Sequence, residues 1–371
     1  MTLKNRYKNC AIFQNGCESV LFDLETVKTT IVDTYGVEIV HFDKAELVFF
    51  FGCTFSAQKE AETIQIIEGL LKENAKQIVV SGCYLREYYN DPRVKFVKLA
   101  NLNIFISGLW NNSKHLESGL QRTKLSPVVA ISHGCFGKCA FCSVKTVKGI
   151  HKSRAINEIL NDIGLRMTNS RMVKLVAEEV AGFGIDCGLS LKVLVDRIIA
   201  QYPDIELKFG SLNPRLLSRF SYEELAIFAY PAVIGNIHIP IQSASNRILS
   251  LMQRGYTGEE FRQVYSSLKE LGVKAISTDI ICGFPTEETG DHNMNIDLLQ
   301  ELPFEFVQIF AYQERPGTLA AEMEQIEVNI REYRTTELIS YFLKHYAARN
   351  SLSLEQLILD PRVFNTNINF N

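Results

Sequence analysis

The chain has 371 residues, 46% of them hydrophobic, with a formal net charge of −3 and a pI near 6.2. That is enough apolar sequence to bury a large core and, by length, to make two domains with a small third piece. The charge excludes a globally basic nucleic-acid binder and leaves room only for a local basic patch. No apolar run is long enough to span a bilayer: the longest, Leu47 to Phe51, has the length of a strand. Met1 to Asn9 is polar and basic with no apolar region behind it, so no secretory signal and no membrane association are expected, and a cytoplasmic protein is. The nine cysteines are an odd count in a large chain, which argues for metal ligation over a disulfide framework.

In chain order, Cys10 to Phe13 reads as a short strand and Glu18 to Tyr35 as a helix, with Val20, Leu24, Val27 and Ile31 at helical spacing. Glu46 to Phe51 is an apolar strand, and Ala57 to Glu73 an amphipathic helix. Gln77 to Val80 is a strand that runs into Ser81, Gly82 and Cys83. Strand–helix alternation implies a parallel sheet. The polar stretch Asn111 to Ser126 reads as a linker. Strands are then predicted at Val128 to Ser132, Met172 to Ala177, Glu206 to Gly210, Ile234 to Ile241, Ala275 to Cys282 and Phe304 to Tyr312. Helices are predicted between them at Ala155 to Met167, Ser190 to Gln201, Tyr222 to Ala229, Gly258 to Leu271 and Gly290 to Leu302. About six β/α units are fewer than the eight of a closed barrel, which implies an open, partial one. Ile330 to Arg349 is one long helix, followed by an Asn-rich tail.

The densest chemical signal is Cys135-Phe-Gly-Lys-Cys139-Ala-Phe-Cys142, directly after a predicted strand. Three thiolates in one loop suit a [4Fe–4S] cluster, and a fourth iron left without a protein ligand can bind and activate a substrate. Gly134 and Gly137 let the loop fold back. Free thiols, or a zinc site with a distant fourth ligand, are the alternatives. Zinc favours paired Cys-x-x-Cys modules, and no second pair stands nearby.

A Cys-x3-Cys-x2-Cys loop after the first strand of a partial barrel resembles the radical S-adenosylmethionine superfamily. More of the chain resembles its methylthiotransferase branch: Ile131-Ser-His-Gly-Cys135, Lys152-Ser-Arg154, Ile239-Pro-Ile-Gln-Ser243, Met252-Gln-Arg-Gly-Tyr-Thr257, Thr278-Asp-Ile-Ile281, Gly283-Phe-Pro285 with Glu287, and Arg315-Pro-Gly-Thr318. The resemblance runs from about Phe13 to Met323. It implies an α/β fold in three parts: residues 1–122 as a small parallel-sheet domain with an auxiliary cluster, 123–329 as a radical SAM partial (β/α)6 barrel, and 330–371 as a C-terminal helix and tail.

It also implies two [4Fe–4S] clusters, one on Cys135, Cys139 and Cys142 and one on Cys17, Cys53 and Cys83, each of the latter three following a glycine. Parallel strands deliver their C-terminal ends to one sheet edge, where three such loops can meet; core thiols are the plain alternative. S-adenosylmethionine is the implied cofactor, with Phe141, Arg154, Glu178, Gln242, Ser243, Asp279, Gly283, Phe284 and Pro285 at its site and an electron donor such as flavodoxin or ferredoxin as partner. Asp279, in an apolar strand, needs a partner if buried. Lys145, Lys148 and Lys152 read as a solvated face, and Cys10, Cys187 and Cys282 as core thiols.

The chain departs from the family pattern at Val20, at Phe51-Gly52 before Cys53, at Thr286 in place of a glycine, and at Glu178-Glu179. Only about fifty residues follow Thr318, so the family's C-terminal TRAM β-barrel is expected to be missing. Together with the negative charge, this makes a peptide or protein side chain the expected substrate of methylthio insertion. A tRNA adenosine is the alternative, and sulfur insertion without methylation, or electron transfer, is a further one.

Overall fold

The computed structural model describes residues 7–54, 56–73, 75–83, 91–110, 125–168, 170–353 and 356. The expected boundary at 122/123, most of the expected linker and the tail beyond 356 lie outside these residues. Two compact units emerge: Met1–Cys135 with Val144–Glu178, and Phe136–Ser143 with Glu179–Asn371.

The first unit opens with β1 (Asn9–Gln14), α1 (Glu18–Thr29), β2 (Glu38–Ile39), β3 (Leu47–Gly52), α2 (Ala57–Lys72), β4 (Ile78–Gly82), β5 (Val94–Phe96) and α3 (Leu99–Leu109). The strands form a parallel sheet in the order β2-β1-β3-β4-β5. Every residue of β3 is buried, as a central strand covered on both faces requires. Ser56 caps α2 by accepting from the Lys59 N–H, and α2 buries Thr63, Ile67 and Leu70. The helix expected over 18–35 stops at Thr29 and continues as a π-helical turn, Thr30–Thr34.

The unit continues with β6 (Val128–Ala130), β7 (Ser132–His133), α4 (Val144–Lys148), β8 (Lys152–Ser153), α5 (Ile156–Met167) and β9 (Met172–Val176). β6 pairs in parallel with β9, and β7 pairs antiparallel with β8.

The second unit holds α6 (Leu191–Gln201), β10 (Glu206–Phe209), α7 (Pro214–Leu217), α8 (Tyr222–Leu225), β11 (Asn236–His238), α9 (Asn246–Leu251), α10 (Gly258–Glu270), β12 (Ala275–Cys282), α11 (Thr289–Glu301), β13 (Phe306–Ala311) and α12 (Val328–Arg349). β11, β12 and β13 form a parallel sheet in that order. After α3 the chain thus runs through six strands that alternate with helices, β6 and β9 to β13, as the sequence led one to expect, and ends its described elements in the long helix α12. The expected strand 234–241 shrinks to Asn236–His238: Pro240 has no N–H to donate to a ladder, and Gln242 adopts φ +73°. Among the described residues no helix is long and apolar enough to cross a membrane.

Candidate functional site

Cys17, Cys53 and Cys83 follow β1, β3 and β4, three adjacent strands of one parallel sheet. Hydrogen bonds tie their loops together. The Cys53 N–H donates to Asn15 Oδ1 at 3.1 Å, and Asn15 Nδ2 donates to Thr63 Oγ1 at 2.9 Å. The Cys83 N–H donates to Gly52 O at 2.9 Å, and Thr54 Oγ1 donates to Cys83 O at 3.0 Å. Burial pushes the Cys83 thiol up to about 12; Lys148 opposes that shift, while Cys17, Cys53 and Glu178 add to it. The three sulfurs are therefore electrostatic neighbours. A thiol held so firmly protonated becomes a thiolate when a metal takes the proton's place, so the donor set fits an iron–sulfur cluster.

The Cys135–Cys142 segment follows β7. Gly134 turns the chain at φ +75°, where a Cβ would meet Ile150 O at 2.4 Å; no other residue fits that approach. The Cys135 N–H donates to Gly149 O at 3.2 Å. In the second unit, the Ala140 N–H donates to Met252 O, and Ala320 N–H to Ala140 O, each at 2.9 Å. Arg254, buried, aims Nη1 at Cys139 Sγ at 3.2 Å, Nη2 at Pro240 O at 3.1 Å and Nε at the Tyr256 hydroxyl at 3.3 Å. Burial acts to lower the guanidinium pKa, but Tyr256 and Cys139 more than offset it. A fixed cation against a sulfur suits a cluster thiolate. Among the described residues no three His, Cys, Asp or Glu side chains are grouped as ligands of one metal ion would be; thiolates on a cluster each take a different iron and stand farther apart.

Several expected cofactor residues share the second unit. Phe141 packs edge-on against Phe284 at 6.5 Å, and Phe284 against Tyr312 at 5.4 Å. Gly283 (φ +69°) approaches Arg331 so closely that a Cβ would meet Arg331 Cγ at 2.5 Å. Its N–H donates to Glu287 Oε1 at 2.9 Å, and Arg334 Nη1 donates to the same oxygen at 3.0 Å. Pro285 is buried beside them. Burial raises Glu287 to about 7 against the opposing Gly283 N–H and Arg334 charge. Gln242 bridges β12: its N–H donates to Asp279 O at 2.8 Å, and its own carbonyl accepts from Ile281 N–H at 2.9 Å. Ser243 is fully buried, and its Oγ accepts from the Ser245 N–H at 3.2 Å. Asp279 Oδ1 stands 3.2 Å from His238 Nε2 but out of hydrogen-bonding alignment.

Arg154 and Glu178 belong to the first unit. Arg154 donates to Ala130 O and Asp162 Oδ2, both at 2.7 Å, and lies over the Phe22 ring. Glu178 accepts from Ser19 Oγ at 3.0 Å and from Gly134 N–H at 2.8 Å.

Two readings need correction. Lys148 is not on a solvated face: its side chain is 1% exposed and stands 2.7 Å from Asp23 Oδ2. Cys187 is exposed, unlike the buried Cys10 and Cys282. Sequence reasoning gave Arg254 and Glu179 no role. Arg254 was visible only inside the Met252–Thr257 motif. Glu179, 1% exposed, accepts from Asn213 Nδ2 at 3.0 Å and leaves Oε1 without a partner; two adjacent acids after a strand were its only trace.

Residues 129–299 match the radical SAM superfamily, and residues 9–100 match the uncharacterized protein family UPF0004. The fold is similar to that of the cobalamin-dependent S-adenosylmethionine radical enzyme OxsB, with a TM-score of 0.53 and 14% identity over 91% of this chain and 56% of that one. Residues 129–299 thus resemble the radical SAM superfamily in sequence, and the fold agrees with that resemblance. Its relatives narrow the placement. The threonylcarbamoyladenosine tRNA methylthiotransferase of Xenopus laevis is 28% identical over 352 residues, covering 85% of this chain and 62% of that protein. Its human counterpart is 30% identical over 65% of this chain and 42% of that protein. The tRNA-2-methylthio-N(6)-dimethylallyladenosine synthase of Aquifex aeolicus is 29% identical, covering 87% of this chain and 81% of that protein. The chain thus spans about three-fifths of the frog protein's length and less than half of the human one's. Over most of its length it resembles the radical SAM methylthiotransferases.

Proposed function

We propose that the protein inserts a methylthio group into a tRNA adenosine, with one [4Fe–4S] cluster on Cys135, Cys139 and Cys142 and a second on Cys17, Cys53 and Cys83. The observation that carries this reading is the meeting of three thiols at one edge of the N-terminal sheet in a chain that also has the Cys-x3-Cys-x2-Cys loop. One cluster suffices to cleave S-adenosylmethionine; a second three-thiol centre calls for a second task, and sulfur supply is that task in this family. The relatives, named as tRNA enzymes, favour tRNA over the peptide or protein expected from the sequence. The reading includes a cytoplasmic location and a flavodoxin- or ferredoxin-type electron donor.

When bound, the clusters and S-adenosylmethionine supply the radical and the transferred methylthio sulfur. The chain's own residues do the rest. Arg254 balances the Cys139 thiolate and fixes its rotamer. Gly283 to Pro285, held by Glu287, presents backbone groups to the cofactor's adenine. Phe141, Phe284 and Tyr312 exclude water beside it. The free Glu179 Oε1 is an acceptor for a ligand donor such as an amino or hydroxyl group.

The test is anaerobic incubation of reconstituted protein and reductant with tRNA bearing threonylcarbamoyl- or dimethylallyladenosine, followed by nucleoside mass spectrometry. A gain of one methylthio group supports the reading. A product lighter by one CH2 points to sulfur insertion alone. Cofactor cleavage with unchanged tRNA, and modification of a peptide instead, overturns the tRNA assignment.

A further inference from the structure

Burying an ammonium is costly unless partners hold it, and an apolar side chain of similar size usually serves stability as well. Lys148 is buried all the same. Its Nζ stands 2.7 Å from Asp23 Oδ2 and 3.5 Å from Glu178 Oε1. Both acids are themselves nearly closed off, with side chains 4% and 9% exposed. The network reaches toward two cysteine-bearing segments. Asp23 lies on α1, the helix that Cys17 caps. Glu178 takes the Ser19 hydroxyl two residues beyond Cys17 and the Gly134 N–H immediately before Cys135. Cys83 is also among the groups close enough to act on the Lys148 ammonium.

We propose that the Lys148 ammonium, held in place by Asp23 and Glu178, is the counter-charge of the Cys17/Cys53/Cys83 centre. The inference rests on the reading of that trio as a cluster site. Three thiolates would give a cluster bound at Cys17, Cys53 and Cys83 excess negative charge. A fixed cation that acts on Cys83 would stabilise the reduced, more negative state of a cluster bound there. Net charge near a cluster is one of the levers on its potential. Asp23 and Lys148 pull that lever in opposite directions, which makes the sign of each substitution diagnostic.

The experiment is a redox titration followed by electron paramagnetic resonance on full-length, anaerobically reconstituted protein. A Cys135/Cys139/Cys142→Ala background isolates the N-terminal signal. Lys148→Met is expected to shift the midpoint negative, and Lys148→Arg to restore most of it. Asp23→Asn, which frees the ammonium from its ion pair, is expected to shift it positive. A purely structural role moves both variants the same way or neither. The Asn variant is near-isosteric, so it reads out even where Lys148→Met fails to fold. An unmoved or negative shift in Asp23→Asn overturns the proposal. So does an unmoved midpoint in an iron-replete Lys148→Met protein. A background protein that binds no iron at all instead removes the cluster reading underneath, and the iron count separates that failure from the other two.

Discussion

Cys17, Cys53 and Cys83 lie about 30 residues apart in sequence and meet because β1, β3 and β4 are parallel neighbours; Cys135, Cys139 and Cys142 occupy eight consecutive residues. The first trio is made by topology, the second by local spacing. Each has its own buried cation. The strand-end trio has a lysine, a compact charge anchored by two carboxylates. The loop has an arginine, whose fork reaches Cys139, Pro240 O and Tyr256 at once. An ammonium acts on a centre as a point charge, whereas a guanidinium also fixes geometry. The comparison teaches that the loop's shape depends on one side chain, and the strand-end trio's on the sheet.

Removing thiols breaks the comparison most severely. Cys17/Cys53/Cys83→Ala is expected to leave about four of roughly eight irons and to keep S-adenosylmethionine cleavage. Cys135/Cys139/Cys142→Ala is expected to leave the same iron count and no cleavage. Iron and sulfide analysis with 5′-deoxyadenosine quantitation reads both.

Next in size is Arg254→Met, which removes the buried donors to Pro240 O, the Tyr256 hydroxyl and Cys139 Sγ. An unfolding loss of about 3–5 kcal/mol is expected, with slower alkylation of Cys139 in the apoprotein, because the thiolate loses its counter-charge. Arg254→Lys is expected to recover only part, because it keeps the charge without the fork.

Glu287 tests how the second unit holds its loops through pH. Its folded pKa, raised to about 7 by burial, exceeds the unfolded carboxylate value near 4.3. Between these values the native state binds more protons than the unfolded one, so its contribution to stability falls as pH rises. Denaturant melts from pH 4.5 to 7 should show a slope that Glu287→Gln flattens, by on the order of 3 kcal/mol across the window. A slope unchanged in the Gln variant would sink the assignment.

The smallest effect belongs to Thr286, which sits at φ +65°, a strained conformation for a β-branched residue. Thr286→Gly should stabilise by about 0.5 kcal/mol, strain relief exceeding the entropic cost of glycine, as read from the urea midpoint.

What the sequence made legible follows physical range. β12 was readable at its true ends, Ala275 and Cys282, because an apolar run bounded by Gly283 carries its own limits. α3 went unread: Asn101, Asn103, Ile104 and Ile106 are weak helix formers, its N-cap residue, Lys98, makes no side-chain cap, and burial of Leu102 and Ile106 against the sheet overrides propensity. The cysteines were legible by spacing and by their preceding glycines. Lys148 was not, since a lysine in a basic run looks solvated until Asp23, 125 residues earlier, closes over it. Arg254 and Cys139 are likewise 115 residues apart. Charge partners at that separation leave no local pattern.

The grip of α12 on the Gly283–Glu287 loop bears on the order in which the protein matures. Arg334 is 47 residues downstream of the Glu287 it holds, so a ribosome making this chain finishes the N-terminal sheet, with its own cysteine trio, long before the anchor of that loop exists. The cysteine-bearing edge of the sheet can therefore form on the nascent chain, whereas the Gly283–Glu287 loop gains its anchor only after α12 leaves the exit tunnel.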